Sequence, residues 1–382
     1  MRILLITARY LPHRGGLESV VYHLSKELQC DGHAVCIITN RYPHTLLASE
    51  IIDRIYVRRL HFIQPRWSFL RSFRLDLFLA GLFYRLWTDY SLKRIIQEFQ
   101  PDVINSHYLS EPAEFVERCL SNRSKHIPWV ISLHGGDVDG EPFMGKPQMG
   151  RFRRISHFAD RLTACSKFLA KQAVELEPAI AEKILVIHNG VDADLFSKAP
   201  SFESTVPYIL ALGQLVQHKG FDVLIDAFTL VSKKYREVNL IIAGEGEFRS
   251  ELERHINENR LEQRVFLTGK VDFVKAASLM AGSLFLAMPS RREPFGIVAL
   301  ECMAAAKCVL ATPVGGIPEF LPCPPNRVVN LDIKSWADAM EQWLILSRKN
   351  SLASMENQVI AQKYDWQIVA QRYLQVYEQA GA

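Results

Sequence analysis

The chain has 382 residues, 48% of them hydrophobic and 23% charged, with a net charge of +4. This is the composition of a folded chain with a sizeable core, long enough for two domains. The charge is too small to argue for nucleic acid, and no nucleic-acid-binding motif appears.

The basic excess sits in the first half. It is densest between Arg54 and Arg94, where Asp76 and Asp89 are the only acidic residues. Seven cysteines form no C-x-x-C pair, which points to reduced, buried thiols in a cytoplasmic protein. The start, "MRILLITARYLP", lacks the apolar length and cleavage site of a signal peptide. The apolar run Leu77–Tyr84 falls far short of the ~20 residues that span a bilayer.

In chain order, "RILLIT" reads as a buried strand. "ESVVYHLSKELQ" follows as a helix with Val20, Val21, Leu24 and Leu28 on one stripe. "HAVCIIT", "PDVINSH", "WVISLHG", "RLTACS" and "KILVIHN" continue as strands. Alternation of this kind marks a parallel sheet covered by helices. A polar stretch, "DADLFSKAPSFEST", reads as a linker. The pattern then restarts with strands "YILALGQ", "NLIIAGEG", "RVFLTGK", "SLFLAMP" and "CVLAT". Helices are expected near Phe221–Tyr235, Glu247–Asn259, Val274–Ala281 and Phe295–Ala306. Ligands of open parallel sheets bind at the carboxyl ends of the strands. Two such sheets facing each other would enclose a cleft.

Several strand ends carry unusual loops. Gly15 and Gly16 precede the first helix, where small residues let an anion approach the helix N-terminus. His134, Gly135, Gly136 and Asp137 cluster after another strand. Asp137 and Asp139 have a spacing that can hold Mg²⁺ or Mn²⁺, but the glycine-rich loop explains them otherwise, and no metal is expected. Lys219 lies between a strand and a strong amphipathic helix, placed to neutralise a phosphate at the helix start. Gly244 and Gly246 form part of a loop lining the site, but make a weak dinucleotide signal.

The stretch "SRREPFGIVALECMAA" holds Glu293 in a loop and Glu301 two turns into an apolar helix. Phe295, Gly296 and Ile297 can present unpaired backbone N–H groups to an anion. Eight residues of helix separate the carboxylates by roughly 12 Å along the axis. A nucleoside-diphosphate sugar has a comparable distance between its sugar ring and its ribose. One carboxylate can then accept from sugar hydroxyls and the other from ribose hydroxyls, with the diphosphate between. A buried carboxylate without such donors is costly.

This stretch resembles the E-x7-E element of retaining glycosyltransferases of the GT-B type, specifically glycosyltransferase family 4. "GGLESVV", "HGGD", "ACSKF", "IHNGVD", "GQLVQHKGFDVLIDAF", "GEGEFRSEL" and "ATPVGGIPE" resemble family motifs in the family's order. The terminal "YDWQIVAQRYLQVYEQ" is similar to a last helix that returns to the first domain. The resemblance covers nearly the whole chain. It implies an α/β GT-B fold of two Rossmann-like domains whose parallel sheets face an inter-domain cleft. Residues 1–198 would form the acceptor-side domain, 199–362 the nucleotide-sugar-binding domain, and 363–382 the returning helix.

It also implies sugar transfer from a nucleotide donor with retention at the anomeric carbon, without metal or cofactor. The donor would be a UDP-sugar or GDP-sugar. Glu293 and the Phe295, Gly296 and Ile297 backbone would hold the donor sugar and diphosphate, and Glu301 the ribose. Lys219 would stabilise the leaving phosphate, and His134 would contact the donor sugar. Gly16, Gly213, Gln214 and Gly246 would lie along the donor, and Gly15 and Asp137 on the acceptor side. Many relatives carry Gly-Arg where this chain has Gly213-Gln214, so either Lys219 must carry more of the charge or another basic residue such as Arg291 or Arg292 helps. Ala306 and Cys308 stand where the family has Gly and Pro.

The acceptor is expected to be a glycan or a polyprenyl- or other lipid-linked molecule. Basic and aromatic residues interleave over 54–94, which suits contact with an anionic membrane face and a peripheral location inside the cell. Packing of that segment into the first domain is the competing reading. The rival functions are a GT-B-like epimerase or phosphorylase, and a non-catalytic nucleotide-sugar-binding subunit.

Overall fold

A computed structural model describes residues 1–13, 15–64, 74–121, 125–138, 146–347 and 354–381. The chain divides into two compact units, Met1–His188 with Trp366–Ala382, and Asn189–Asp365.

The first unit holds strands β1 (Arg2–Thr7), β2 (Ala34–Asn40), β3 (Ser49–Ile52), β4 (Ile55–Leu60), β5 (Val103–His107), β6 (Trp129–Leu133), β7 (Arg161–Ala164) and β8 (Ile184–Val186). Their order in the sheet is β3-β4-β2-β1-β5-β6-β7-β8. All neighbours pair in parallel except β3 and β4. β1 is central and buried on both faces, with Ile3, Leu4, Leu5 and Ile6 fully inaccessible. Helix Gly16–Cys30 covers one face with the expected stripe of Val20, Val21, Leu24 and Leu28.

The last helix, Trp366–Gly381, belongs to this first unit and buries Trp366, Val369, Tyr373 and Tyr377. The Trp366 ring lies parallel to His23 with centroids 5.5 Å apart. The Tyr377 hydroxyl donates to Asn105 Oδ1 on β5 at 3.0 Å.

The second unit has strands β9 (Tyr208–Leu212), β10 (Asn239–Ala243), β11 (Val265–Gly269), β12 (Leu286–Met288), β13 (Val309–Ala311) and β14 (Arg327–Val328). The sheet order is β11-β10-β9-β12-β13-β14, parallel throughout. Helices Phe221–Ser232 and Ile333–Ser347 supply Phe228, Trp336, Met340 and Trp343 to its core. In each sheet the strand order reverses beside the first strand. These points, β1/β5 and β9/β12, are where loops diverge and open a crevice at the carboxyl ends.

The first part of the stretch read as a linker is packed structure. Asp192 Oδ1 accepts the Leu195 N–H at 2.9 Å and caps helix Ala193–Ser197, whose Phe196 is buried in the second unit. The Val191 N–H donates to Tyr364 O at 2.9 Å. The crossing therefore falls at His188/Asn189, earlier than the polar composition of 192–205 suggests.

Helix Ile297–Ala304 ends against Ala306, which sits in the left-handed region at φ 57°. A Cβ makes that conformation costly by roughly 1–2 kcal/mol. This is the position at which the family motif has glycine. Ala306→Gly is expected to raise the unfolding free energy of the second unit by about 0.5–1 kcal/mol after the added unfolded-state entropy. Urea denaturation followed by tryptophan fluorescence measures it. A destabilised variant would show that the turn is not strained.

Candidate functional site

In the second unit the loops after β9 and β12 meet at the switch point. Lys219 Nζ donates to Glu293 Oε2 at 2.5 Å. Glu293 is only 8% exposed, and Ser290 Oγ donates to the same oxygen at 3.4 Å. The backbones are tied as well, since the Arg291 N–H donates to His218 O at 2.8 Å. From below, the loop after β13 locks Glu293. The Gly316 N–H donates to Glu293 O at 3.2 Å, and a Cβ on Gly315 would lie 1.7 Å from that oxygen. Gly315 also has φ 59°, so glycine is required there on both counts.

Gly296, at φ 105°, turns the chain into helix Ile297–Ala304. Among the described residues, the backbone N–H groups of Gly296, Ile297 and Val298 donate to no protein acceptor. Such groups at a helix start attract an anion. The Phe295 side chain is buried against Phe320 and Tyr364, so only its backbone faces this task. Glu301 lies farther along the helix and is 9% exposed. Its carboxylate has no hydrogen-bond or ion-pair partner among the described residues. Burial pushes its pKa up to about 7.

The other donor-side positions divide. Gly213 adjoins the Lys219 stem, with Lys219 Cε 3.8 Å from where its Cβ would be. Gln214 is exposed. Gly246 serves packing: a Cβ there would lie 2.1 Å from Leu215 O, and the Leu215 N–H donates to Glu245 O at 3.0 Å. Arg291 does not supplement Lys219. Its guanidinium grips Asp222 at 2.8 and 2.6 Å and donates to Gln217 O at 2.6 Å. That geometry fastens the Lys219 loop to the next helix, a role that sequence spacing did not reveal.

In the first unit, β6 ends at His134. Asp137 is 4% exposed and closes its own loop. Its Oδ1 accepts N–H groups from His134 at 3.1 Å and Gly135 at 2.9 Å, and Oδ2 accepts from Leu109 at 3.3 Å. Burial nevertheless raises its pKa to about 6. Asp137 thus shapes the loop, and Asp139 lies outside the described residues. Burial lowers the His134 pKa to about 4, so its imidazole is neutral at neutral pH. His134 Nε2 lies 3.1 Å from His107 Nδ1, on a residue that the motif reading did not single out. The "NSH" end of β5 was its signal. Gly15 precedes helix Gly16–Cys30 in an extended conformation, and a Cβ on Gly16 would meet nothing within 4 Å.

The 54–94 segment is less basic in effect than its composition. Arg59 is 3% exposed and donates to Leu11 O at 2.7 Å. Arg74 pairs with Asp76, and Arg94 with Glu98. Residues 65–73 lie outside the described set. Helix Leu75–Phe99 buries Gly81, Thr88, Leu92, Ile95 and Ile96 on one face. Leu79, Phe83, Leu86, Trp87 and Tyr90 are exposed on the other, within an arc of roughly 120° together with Leu75. Among the described residues, no helix is long and apolar enough to cross a membrane.

The two α/β units, each built on a largely parallel sheet, are those of the GT-B fold, with an anion-ready helix start and a buried carboxylate in the second. The family described as glycosyl transferases group 1 matches residues 192–362, and glycosyltransferase family 4 matches residues 14–195. An uncharacterized glycosyltransferase of Methanocaldococcus jannaschii is 30% identical over 319 residues, covering 83% of this chain and 80% of that protein. One of the subunits of human phosphatidylinositol N-acetylglucosaminyltransferase is 25% identical, over 98% of this chain and 75% of its own length. The crystal structure of Anabaena HepE with UDP-glucose superposes with a TM-score of 0.78 at 19% identity, covering 99% of this chain and 100% of that one. The chain belongs to this glycosyltransferase family and has its GT-B fold.

The raised pKa of Glu301 has a thermodynamic sign. The native state holds a proton that the unfolded chain releases near 4.5. Its contribution is therefore full below the unfolded value and is lost as pH rises from 4.5 through about 7. Relative to Glu301→Gln, the wild type is expected to lose roughly 3 kcal/mol of stability between about pH 5 and about pH 8. Urea midpoints of both proteins across that range measure the difference. Parallel pH profiles would mean that Glu301 is already ionised.

Proposed function

We propose that the chain transfers a sugar, with retention at the anomeric carbon, from a UDP-sugar or GDP-sugar to a lipid-linked or glycan acceptor without a metal. One observation carries this reading: the Lys219–Glu293 pair stands at the start of a helix whose first N–H groups have no acceptor among the described residues. As the bond from the anomeric carbon to the diphosphate breaks, negative charge develops on the leaving phosphate. Lys219 and the Gly296 and Ile297 N–H groups are fixed donors for that charge. Glu293 accepts from donor-sugar hydroxyls, and Glu301 accepts from the ribose. His134 meets the donor sugar as a neutral group. UDP is favoured as the base because HepE was crystallised with UDP-glucose.

A lipid acceptor is favoured by the likeness to phosphatidylinositol N-acetylglucosaminyltransferase. The exposed stripe of helix Leu75–Phe99 gives that acceptor a surface to rest on, through apolar contact more than charge.

Incubation with UDP-sugars and GDP-sugars in EDTA tests the donor reading. Nucleoside-diphosphate release or thermal stabilisation by one donor is expected, and Lys219→Met should lower release by about 100-fold. Silence in EDTA that Mn²⁺ reverses would overturn metal independence. Silence under both conditions, with stabilisation by UDP alone, would favour a nucleotide-sugar-binding subunit.

Flotation with liposomes tests the surface. The wild type is expected to float with phosphatidylglycerol-containing vesicles, and the triple change Phe83→Ser, Trp87→Ser, Tyr90→Ser to remain at the bottom. Equal behaviour of the two proteins would remove the lipid contact.

A further inference from the structure

His107 and His134 are adjacent at the carboxyl ends of β5 and β6, and their rings are nearly coplanar, 19° apart. The centroids are 5.3 Å apart, while His107 Nδ1 and His134 Nε2 are separated by 3.1 Å. That centroid distance is the N···N separation plus about one ring radius at each end. The rings therefore meet edge to edge, as a nearly linear N–H···N bond requires. Both imidazoles are neutral at neutral pH, because burial depresses their pKa values. A single proton lies between the two nitrogens, and either ring can own it.

The far side of His107 decides which. His107 is 1% exposed, and its Nε2 is buried without a hydrogen-bond partner among the described residues. If His134 Nε2–H were the donor, His107 would carry its own proton on Nε2. A buried N–H would then be orphaned. If His107 Nδ1–H is the donor, Nε2 keeps only an unused lone pair. Orphaned buried N–H groups are rarer than under-used acceptors. His107 thus keeps its proton on Nδ1 and gives it to His134 Nε2. His134, with Nε2 occupied as acceptor, must carry its proton on Nδ1. That nitrogen has no partner among the described residues and is not among the buried, unpartnered atoms.

We infer that His107 is a positioning residue that holds His134 in the Nδ1–H tautomer, so that the accessible edge of His134 is a neutral hydrogen-bond donor. This deepens the proposed role of His134 toward the donor sugar and rests on that reading for its catalytic meaning. The consequence is chemical. His134 in this form can donate to a sugar oxygen and cannot take a proton from an acceptor hydroxyl through that edge.

The tautomer is readable without any substrate, in the full chain labelled with ¹⁵N-histidine. Long-range ¹H–¹⁵N correlation spectra at neutral pH separate protonated from bare ring nitrogens. The His134 signals are assigned by their loss in His134→Asn. The expected result is protonated Nδ1 and bare Nε2 on His134, with protonated Nδ1 on His107. Protonated Nε2 on His134 would overturn the inference. His107→Phe keeps a ring and removes the donor, and should release His134 into a mixture of both tautomers. His107→Asn restores an N–H donor at the Nδ1 position and should return the Nδ1–H form. An unchanged His134 spectrum in a folded His107→Phe protein would show that another group sets the tautomer. If His107→Phe fails to fold, the wild-type spectrum and His107→Asn still decide.

With an active donor in hand, His107→Phe should lower kcat by about tenfold with little change in donor KM, and His107→Asn should recover most of it. A lowered kcat with an unaltered tautomer would assign the loss to packing. A correct tautomer with no turnover of any donor would leave His107's positioning intact and refute the transferase reading alone.

Discussion

The contact between Lys219 and Glu293 organises the second unit's site. Each residue lies in the loop after a different strand, β9 and β12, at the point where the sheet order reverses. Parallel neighbours at such a point send their connections in opposite directions, and a gap opens between them. An ammonium and a carboxylate bridge that gap at low exposure. Removing either partner leaves the other as a partly buried, uncompensated charge, which costs far more than a surface pair contributes. The surrounding backbone is correspondingly fixed, through Arg291 on Asp222 and Gly315 beneath Glu293. Polar groups that are held in place before a ligand arrives need little reorganisation when charge develops.

The same low-dielectric burial acts in opposite senses on the two units. Glu301 is pushed toward its neutral, protonated form. His107 and His134 are also pushed toward their neutral form, which for a base means loss of a proton. The histidine pair contributes stability fully above the ordinary imidazole value and loses it as pH falls below 6.5. Glu301 favours the acid side instead. The two units thus favour opposite sides of neutral pH at these groups. Glu301, without a partner among the described residues, and Glu293, with one, are the same residue type on one short stretch. Their environments, not their chemistry, separate the roles.

Much of this was legible in the sequence. Strand alternation, the restart after the first sheet and the helix stripes follow from apolar period, and β1 matches "RILLIT" residue for residue. The pairing of β3 with β4 was not legible, because short half-exposed strands carry little periodicity. The polar stretch at 192–205 misled, since a capped helix of one turn and a buried Phe196 need few apolar residues. In the site, Glu293, Glu301 and Lys219 declare themselves by charge beside glycine and a helix start. Gly246 and Arg291 do not, because what each one touches comes from a distant loop or helix.

His107 shows the limit most sharply. Nothing in "NSH" separates a structural histidine from one that sets another's proton, since the decisive fact is what its second nitrogen lacks. A hydrogen bond between neutral imidazoles is symmetric in sequence and in distance. Only the desolvation cost on the far edge breaks that symmetry. Asp137 illustrates the converse. Its place in a D-x-D triplet suggests a ligand, while its carboxylate oxygens accept the N–H groups that shape the His134 loop. Polar groups at the strand ends thus fall into those spent on the backbone and those left with an accessible atom. Lys219, Glu293 and the Nδ1 edge of His134 belong to the second kind.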